Sequence, residues 1–303
     1  MYNWKPLAHK EYSQAVRWRG LWILTGLALL LVYYGWGVSR GIAAPRSRLV
    51  SDIGSNVTLA SFQFPIGNVI GLAALLISYQ SLTSASGTHR LSLIAVQPHS
   101  RRDIFIGTIV GRTAAVWTFL GGLFLIGGAL GILTHGVFDG ITFIAVVLGS
   151  LFYVLTVVSL GTSISAIVRS RALAAPVAII YYLLFTLLWE SVVSGIVFRA
   201  LAGPYILSPP PQSQFLFLLK RAVPVDAYDV LVNAALNLDN AASIPDVVLL
   251  NDYGDPFAVL AVGDAFNTTP LVLHPLSSVL VLSAWLVLPV LIGYIRFNTC
   301  DLA

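Results

Sequence analysis

The sequence predicts an all-α, polytopic membrane protein with six transmembrane helices. Three observations carry that expectation. Hydrophobic residues fill 57% of the 303 positions, only 10% are charged, and the mean hydropathy is +0.85; a soluble domain carries roughly 25% charged residues. Six segments are apolar over the ~20 residues that a hydrocarbon core of ~30 Å requires. The connections between them alternate in Lys and Arg content, as the positive-inside rule demands.

Before the first span, Trp4 to Trp18 (WKPLAHKEYSQAVRW) mixes aromatic and basic side chains. That composition suits an amphipathic helix in the membrane interface, with Trp and Tyr at headgroup depth; the plain alternative is a frayed polar tail. The spans follow at about 20–38, 62–83, 113–134, 141–167, 172–198 and 276–295. The first lacks the small-residue cleavage pattern of a signal peptide and reads as a retained helix. Pro65 and Pro176 fall within spans, which membrane helices tolerate. No internal repeat and no fused soluble domain is visible, so residues 1–303 read as one membrane domain.

Orientation follows from the charges. With the N-terminus inside, eleven of the 17 Lys and Arg residues lie on the inner side and six on the outer side. Of the 13 acids, only Glu11, Asp103 and Asp301 lie inside. Both termini and the loop between the second and third spans are therefore expected in the cytosol. Arg40, Arg46 and Arg48 run against that bias. The pI of 9.3 reports this orientation rather than a nucleic-acid partner. Cys300 is the only cysteine, which excludes an internal disulfide and any thiolate-based metal site.

The loop from Arg90 to Arg112 is the most informative stretch. Pro98 ends any helix running from Leu91 to about Val96. Ser100-Arg101-Arg102-Asp103 then fits a capping box directly before an apolar run. One helix from Arg101 to Thr134 would measure ~50 Å and outrun the hydrocarbon core. Its first turns are expected at the cytosolic surface, with Arg112 snorkelling to headgroups. Two interpretations remain open on physics alone. The loop either binds anionic lipid through its arginines, or carries force into the third span.

Between Arg199 and Pro275 lies a connection too long for bare loop. Pro209-Pro210-Pro211 marks extended chain. After Pro224, apolar residues at 227, 230, 231, 234 and 235 describe one helical face, expected to rest on the outer membrane surface. Glu190 is the only acid inside a span, which makes it a candidate for a transport path or gate. Its position ~28 Å along a helix from Arg171 also fits a hydrated boundary residue. Tyr228, in the helix that would roof the exit, is the second gate candidate. Asn56-Val57-Thr58 and Asn267-Thr268-Thr269 match glycosylation sequons on the expected outer side. Fourteen Arg against three Lys, with Asp as every acid between 199 and 275, is similar to surfaces adapted to high salt.

The run Gly87-Thr88, Leu91-Ser92-Leu93-Ile94, Pro98-His99-Ser100-Arg101-Arg102-Asp103 and Gly107 resembles the loop between the second and third spans of ABC-2 type transporter permeases. The tail from Arg296-Phe297 to Asp301-Leu302 is similar as well, as is the six-span plan. This resemblance implies a type V exporter-like architecture with an N-terminal elbow at 1–19, a coupling-helix region at 87–112 and an external connection at 199–275. It also implies that Leu91, Leu93, Ile94, Pro98, His99, Ser100, Arg101, Arg102 and Asp103 dock a separate cytosolic ABC ATPase.

A transporter of this kind must recruit its motor, because the chain has no G-x-x-x-x-G-K-[ST] loop. ATP and Mg are accordingly expected on the partner, with no catalytic residue, metal or cofactor on this chain. Six spans are few for a translocation path, so a permease dimer in the plasma membrane is expected. An apolar path favours export of a hydrophobic or amphiphilic substrate. The rival is an intramembrane hydrolase or protease, which would need paired acids or clustered histidines at one depth. The five histidines show no H-x-x-x-H, and Glu190 has no acidic neighbour in sequence. An ion-coupled carrier would need buried ionisable groups and inverted repeats, and neither is apparent.

Overall fold

A computed structural model describes residues 4–41, 54–82, 100–168, 170–202, 214–237 and 270–299. The described residues form helices and turns, with no strand among them. Helix α1 (Lys5–Val16) has Pro6 in its first turn, where a missing N–H costs nothing. Helix α2 (Arg19–Gly41) leaves α1 at a bend of 62°. At the bend, the Trp22 indole N–H donates to the Val16 carbonyl at 2.9 Å.

Among the described residues, four helices are each long and apolar enough to cross a membrane: α3 (Gly54–Ser78), α4 (Arg101–His135), α5 (Gly140–Ile167) and a last helix, Leu276–Thr299. The bent pair α1–α2 adds a fifth candidate. Helix α3 is central, with 72% of its apolar window buried inside the protein, against 17% for Leu276–Thr299. It begins at Gly54, eight residues before the expected span, and widens into a π-helical turn at Pro65–Ile70. Near its start, Asn56 Oδ1 accepts the Asp139 N–H at 3.0 Å, and Thr58 is fully buried with its Oγ1 3.4 Å from His135 Nδ1. The first sequon therefore ties α3 to the α4–α5 turn; the second lies outside the described residues.

The expected span 172–198 is a succession of pieces. Helix α6 (Arg171–Tyr181) continues through π-helical turns at Tyr182–Leu187 and Trp189–Val193 into α7 (Ser194–Ala202). The bonds from Leu188 N–H to the Leu183 carbonyl and from Val193 N–H to the Leu188 carbonyl each reach back five residues. Residues four apart are neighbours on one helix face. Tyr181, Phe185 and Trp189 stack accordingly, with ring centroids 5.4 and 5.3 Å apart, and Trp285 meets the first two at steep angles. The six-span plan is compatible with this broken segment.

Helices α8 (Gln214–Lys220) and α9 (Pro224–Ala235) overturn the expectation of a helix resting on the surface. Val225, Ala227, Tyr228, Val230, Val232 and Asn233 of α9 are all buried. Tyr228 stacks on Tyr153 at 4.9 Å, about 20 Å along α5 from its start. The amphipathic count failed because polar side chains on the other face are also enclosed: Gln63 donates to Asn233 Oδ1 and to the Asp229 carbonyl. Indole N–H groups of Trp189 and Trp285 hold the α8–α9 turn by the Leu219 and Ala222 carbonyls. Within that turn, buried Arg221 donates to the Leu273 carbonyl at 2.6 Å. Desolvation lowers its pKa to about 10, so it keeps its charge at neutral pH. The last helix is α10 (Leu276–Thr299).

Candidate functional site

The N-terminus of α4 is built as its sequence predicts. Ser100 is extended, at φ −71° and ψ 153°, and its Oγ accepts the Asp103 N–H at 3.1 Å. The Asp103 carboxylate reaches back to the Ser100 N–H and hydroxyl at 3.3 and 2.7 Å. A carboxylate in the first turn also complements the positive end of the helix dipole. From this cap α4 runs unbroken to His135, 35 residues or ~52 Å.

Arg101, the first residue of the helix, turns toward α10. Its Nη1 donates to the Phe297 and Asn298 carbonyls, both at 3.0 Å. These carbonyls belong to the last turn of α10, where partial negative charge collects. One turn along, Phe105 is buried with Leu82 and Ala166, and its ring meets Tyr294 and Phe297 at 5.8 and 6.1 Å. Arg102 is exposed and Asp103 is buried in the cap. Leu91, Leu93, Ile94, Pro98 and His99 lie outside the described residues.

Three turns further along α4, Arg112 does not snorkel. Its Nε and Nη2 donate to Glu11 Oε2 at 2.8 and 2.7 Å, and its Nη1 donates to the Ile77 carbonyl in the last turn of α3. Both charged side chains are only 14% exposed. The cause is the docking of α1 along α4. A Cβ on Gly107 would meet Leu7 Cβ at 2.9 Å, and one on Gly111 would meet the Ala8 carbonyl oxygen at 2.3 Å. Glycines four apart let the two backbones approach, which brings Glu11 against Arg112 and Tyr12 to 3.3 Å from Thr118.

The gate candidates occupy different elements. Glu190 lies in the second π turn of the broken segment, where its carbonyl accepts the Ser194 hydroxyl. Tyr228 is fully buried in α9, 3.0 Å from Ser150 Oγ. Ser150 already donates to the Val146 carbonyl, so Tyr228 is the donor of this pair. Among the described residues, no three His, Cys, Asp or Glu side chains gather as a metal site.

Residues that a reading of single segments misses are Glu11, Gly111 and the carbonyl targets of Arg101 and Arg112. The small-xxx-small spacing of Gly107 and Gly111 is a signal that would have found the α1 contact.

Long apolar helices, one of them capped at Ser100 and clamped along its length to the N-terminal helix, define a polytopic helical membrane protein. A family model described as ABC-2 family transporter protein matches residues 6–302, nearly the whole chain, and the chain belongs to that family. No curated protein matches it.

Proposed function

We propose that the chain is the membrane-spanning half of an ATP-driven exporter of hydrophobic or amphiphilic molecules. The observation that carries this reading is the continuity of α4 from the Ser100–Asp103 cap to His135. A helix of ~52 Å carries a displacement at its capped end across the bilayer, and nothing in its hydrogen bonding gives way in between. A separate cytosolic ATPase, holding ATP and Mg, docks on the stretch 87–103 through Leu91, Leu93, Ile94, Pro98 and His99, with Arg102 exposed at the helix start. Closure of two such motors on a dimer of this subunit tilts the spans between inward- and outward-open states. Both termini then face the cytosol across the plasma membrane. Residues 1–19 act as the elbow and 199–275 as the outer-side connection, of which α9 packs into the bundle; Glu190 and Tyr228 lie along the exit path. Membership of the ABC-2 family supports the transport role.

Affinity purification in gentle detergent tests the motor. Recovery of a P-loop ATPase in stoichiometric amount is expected, and recovery of the subunit alone overturns the proposal. Sidedness is tested with Ser100→Cys in a Cys300→Ser background, Cys300 being the sole native cysteine. An impermeant thiol reagent should leave intact cells unlabelled and label inverted vesicles.

A further inference from the structure

We infer that Arg101, which the resemblance implies to be a docking residue, is instead a transmission residue: its guanidinium is spent on tying the start of α4 to the end of α10 and not on the ATPase. This rests on the proposed function, since it concerns how movement imposed on the loop spreads through the bundle.

The geometry around Arg101 is a clamp in three layers. The capping box fixes the backbone from Ser100 to Asp103, so the root of the Arg101 side chain has a defined direction. The guanidinium then bridges two successive carbonyls, those of Phe297 and Asn298, at 3.0 Å each. A cation at a helix C-terminus gains from both the hydrogen bonds and the aligned peptide dipoles. Beneath it, Phe105 packs on Tyr294 and Phe297, so the polar contact is backed by an apolar one on the same two helices.

What α10 does with that input follows from its own packing. Gly293 lies so close to α5 that a Cβ there would stand 2.9 Å from Ser163 Cα and Cβ. Nearer the other end, Trp285 donates to the Ala222 carbonyl beside the buried helix α9 and meets Tyr181 and Phe185. Through Arg101, a push on the α4 cap reaches α10. Through Trp285, α10 reaches the turn that holds α9 in the bundle.

Arg112 makes the parallel connection to α1 and α3, by Glu11 and the Ile77 carbonyl. Arg101 thus selects the α10 branch. Without it, α4 would still move with α1 and α3 but would hold α10 only through the Phe105 contact, and α10 would lag.

The test uses the complex of full-length subunit and ATPase. In a Cys300→Ser background, an environment-sensitive fluorophore is placed at Leu133→Cys, on the far part of α4, or at Leu280→Cys, on the far part of α10; both native side chains are exposed. Wild type should change signal at both positions on adding ATP and vanadate. Arg101→Gln should keep the ATPase bound, keep its hydrolysis within about twofold, keep the Leu133 response and lose the Leu280 response by at least about fivefold. Loss of the ATPase from the Arg101→Gln complex overturns the inference, because the arginine would then be a docking group. An undiminished Leu280 response overturns it too. If Arg101→Gln does not accumulate, the same readouts on Arg101→Lys decide, since an ammonium replaces the guanidinium fork; a partial, position-selective loss is expected and equal responses at both sites refute it. A wild-type complex with no response at Leu133 would count against the proposed function instead.

Discussion

Glu11 and Arg112, 101 positions apart in the chain, meet in a two-nitrogen ion pair at 2.7 and 2.8 Å, and the pair is largely enclosed. It converts the N-terminal helix from a free interfacial segment into a strut on α4. Because Arg112 also binds the Ile77 carbonyl, a single side chain joins α1, α3 and α4.

Loss of either partner should therefore be unequal. Glu11→Gln keeps a hydrogen-bond acceptor and should cost about 1–2 kcal/mol, whereas Arg112→Leu also strands the Ile77 carbonyl and Glu11 and should cost about 3–5 kcal/mol. Thermal unfolding in one detergent measures both. Equal losses would argue that the Ile77 contact contributes nothing.

The glycines of α4 divide into two classes. Gly111→Ala places a methyl group 2.3 Å from the Ala8 carbonyl oxygen and must push α1 away. Gly121→Ala and Gly122→Ala meet nothing within 4 Å and gain helix propensity of about 1 kcal/mol each. Gly111→Ala is expected to lower the unfolding temperature and expose α1 to protease, while the other two leave both unchanged or improved. Protection of α1 in Gly111→Ala would sink the close-approach account.

Asp139 caps α5, its carboxylate accepting the Thr142 N–H at 2.7 Å. The backbone hydrogen bond from Thr142, followed by its side chain, holds the Asp139 pKa below its ordinary 3.8. A depressed carboxylate pKa stabilises the fold above the unfolded value and loses that contribution as pH falls through the folded value. Below about pH 4, wild type should therefore lose thermal stability more steeply than Asp139→Asn, which keeps a capping oxygen without a titrating charge. Parallel melting curves from pH 7 to pH 3 check this.

Tyr228 and Ser150 test whether α9 belongs to the bundle. Tyr228→Phe removes one buried hydrogen bond and should cost about 1 kcal/mol, because Ser150 keeps its bond to Val146. Tyr228→Ala also removes the ring stacked on Tyr153 and should cost about 3–5 kcal/mol. A helix lying on the surface would tolerate both changes, so a negligible Tyr228→Ala effect refutes the insertion of α9.

Much of the fold was legible in the chain because membrane crossing is a local property. A window of twenty apolar residues, a proline, or Ser100 three positions before Asp103 is decided within one or two helical turns. The start of α4 came out as written; the spans expected at 141–167 and 276–295 appear as helices Gly140–Ile167 and Leu276–Thr299, the latter four residues longer. The span 172–198 was legible only in outline: π turns break its helical period, and the ring stack along it is completed by Trp285 on another helix.

The sequence by itself determined a helical membrane protein with a capped, basic loop, because each of those features lives in short-range spacing and side-chain solubility. Tertiary structure alone decided where the charges went. Arg112 met Glu11 instead of headgroups, Arg101 met the last turn of α10, and α9 sank between helices. The physical reason is that a guanidinium in a bilayer-spanning bundle goes to whichever carboxylate or helix-end carbonyl the packing delivers, and that delivery depends on close approaches between segments far apart in the chain.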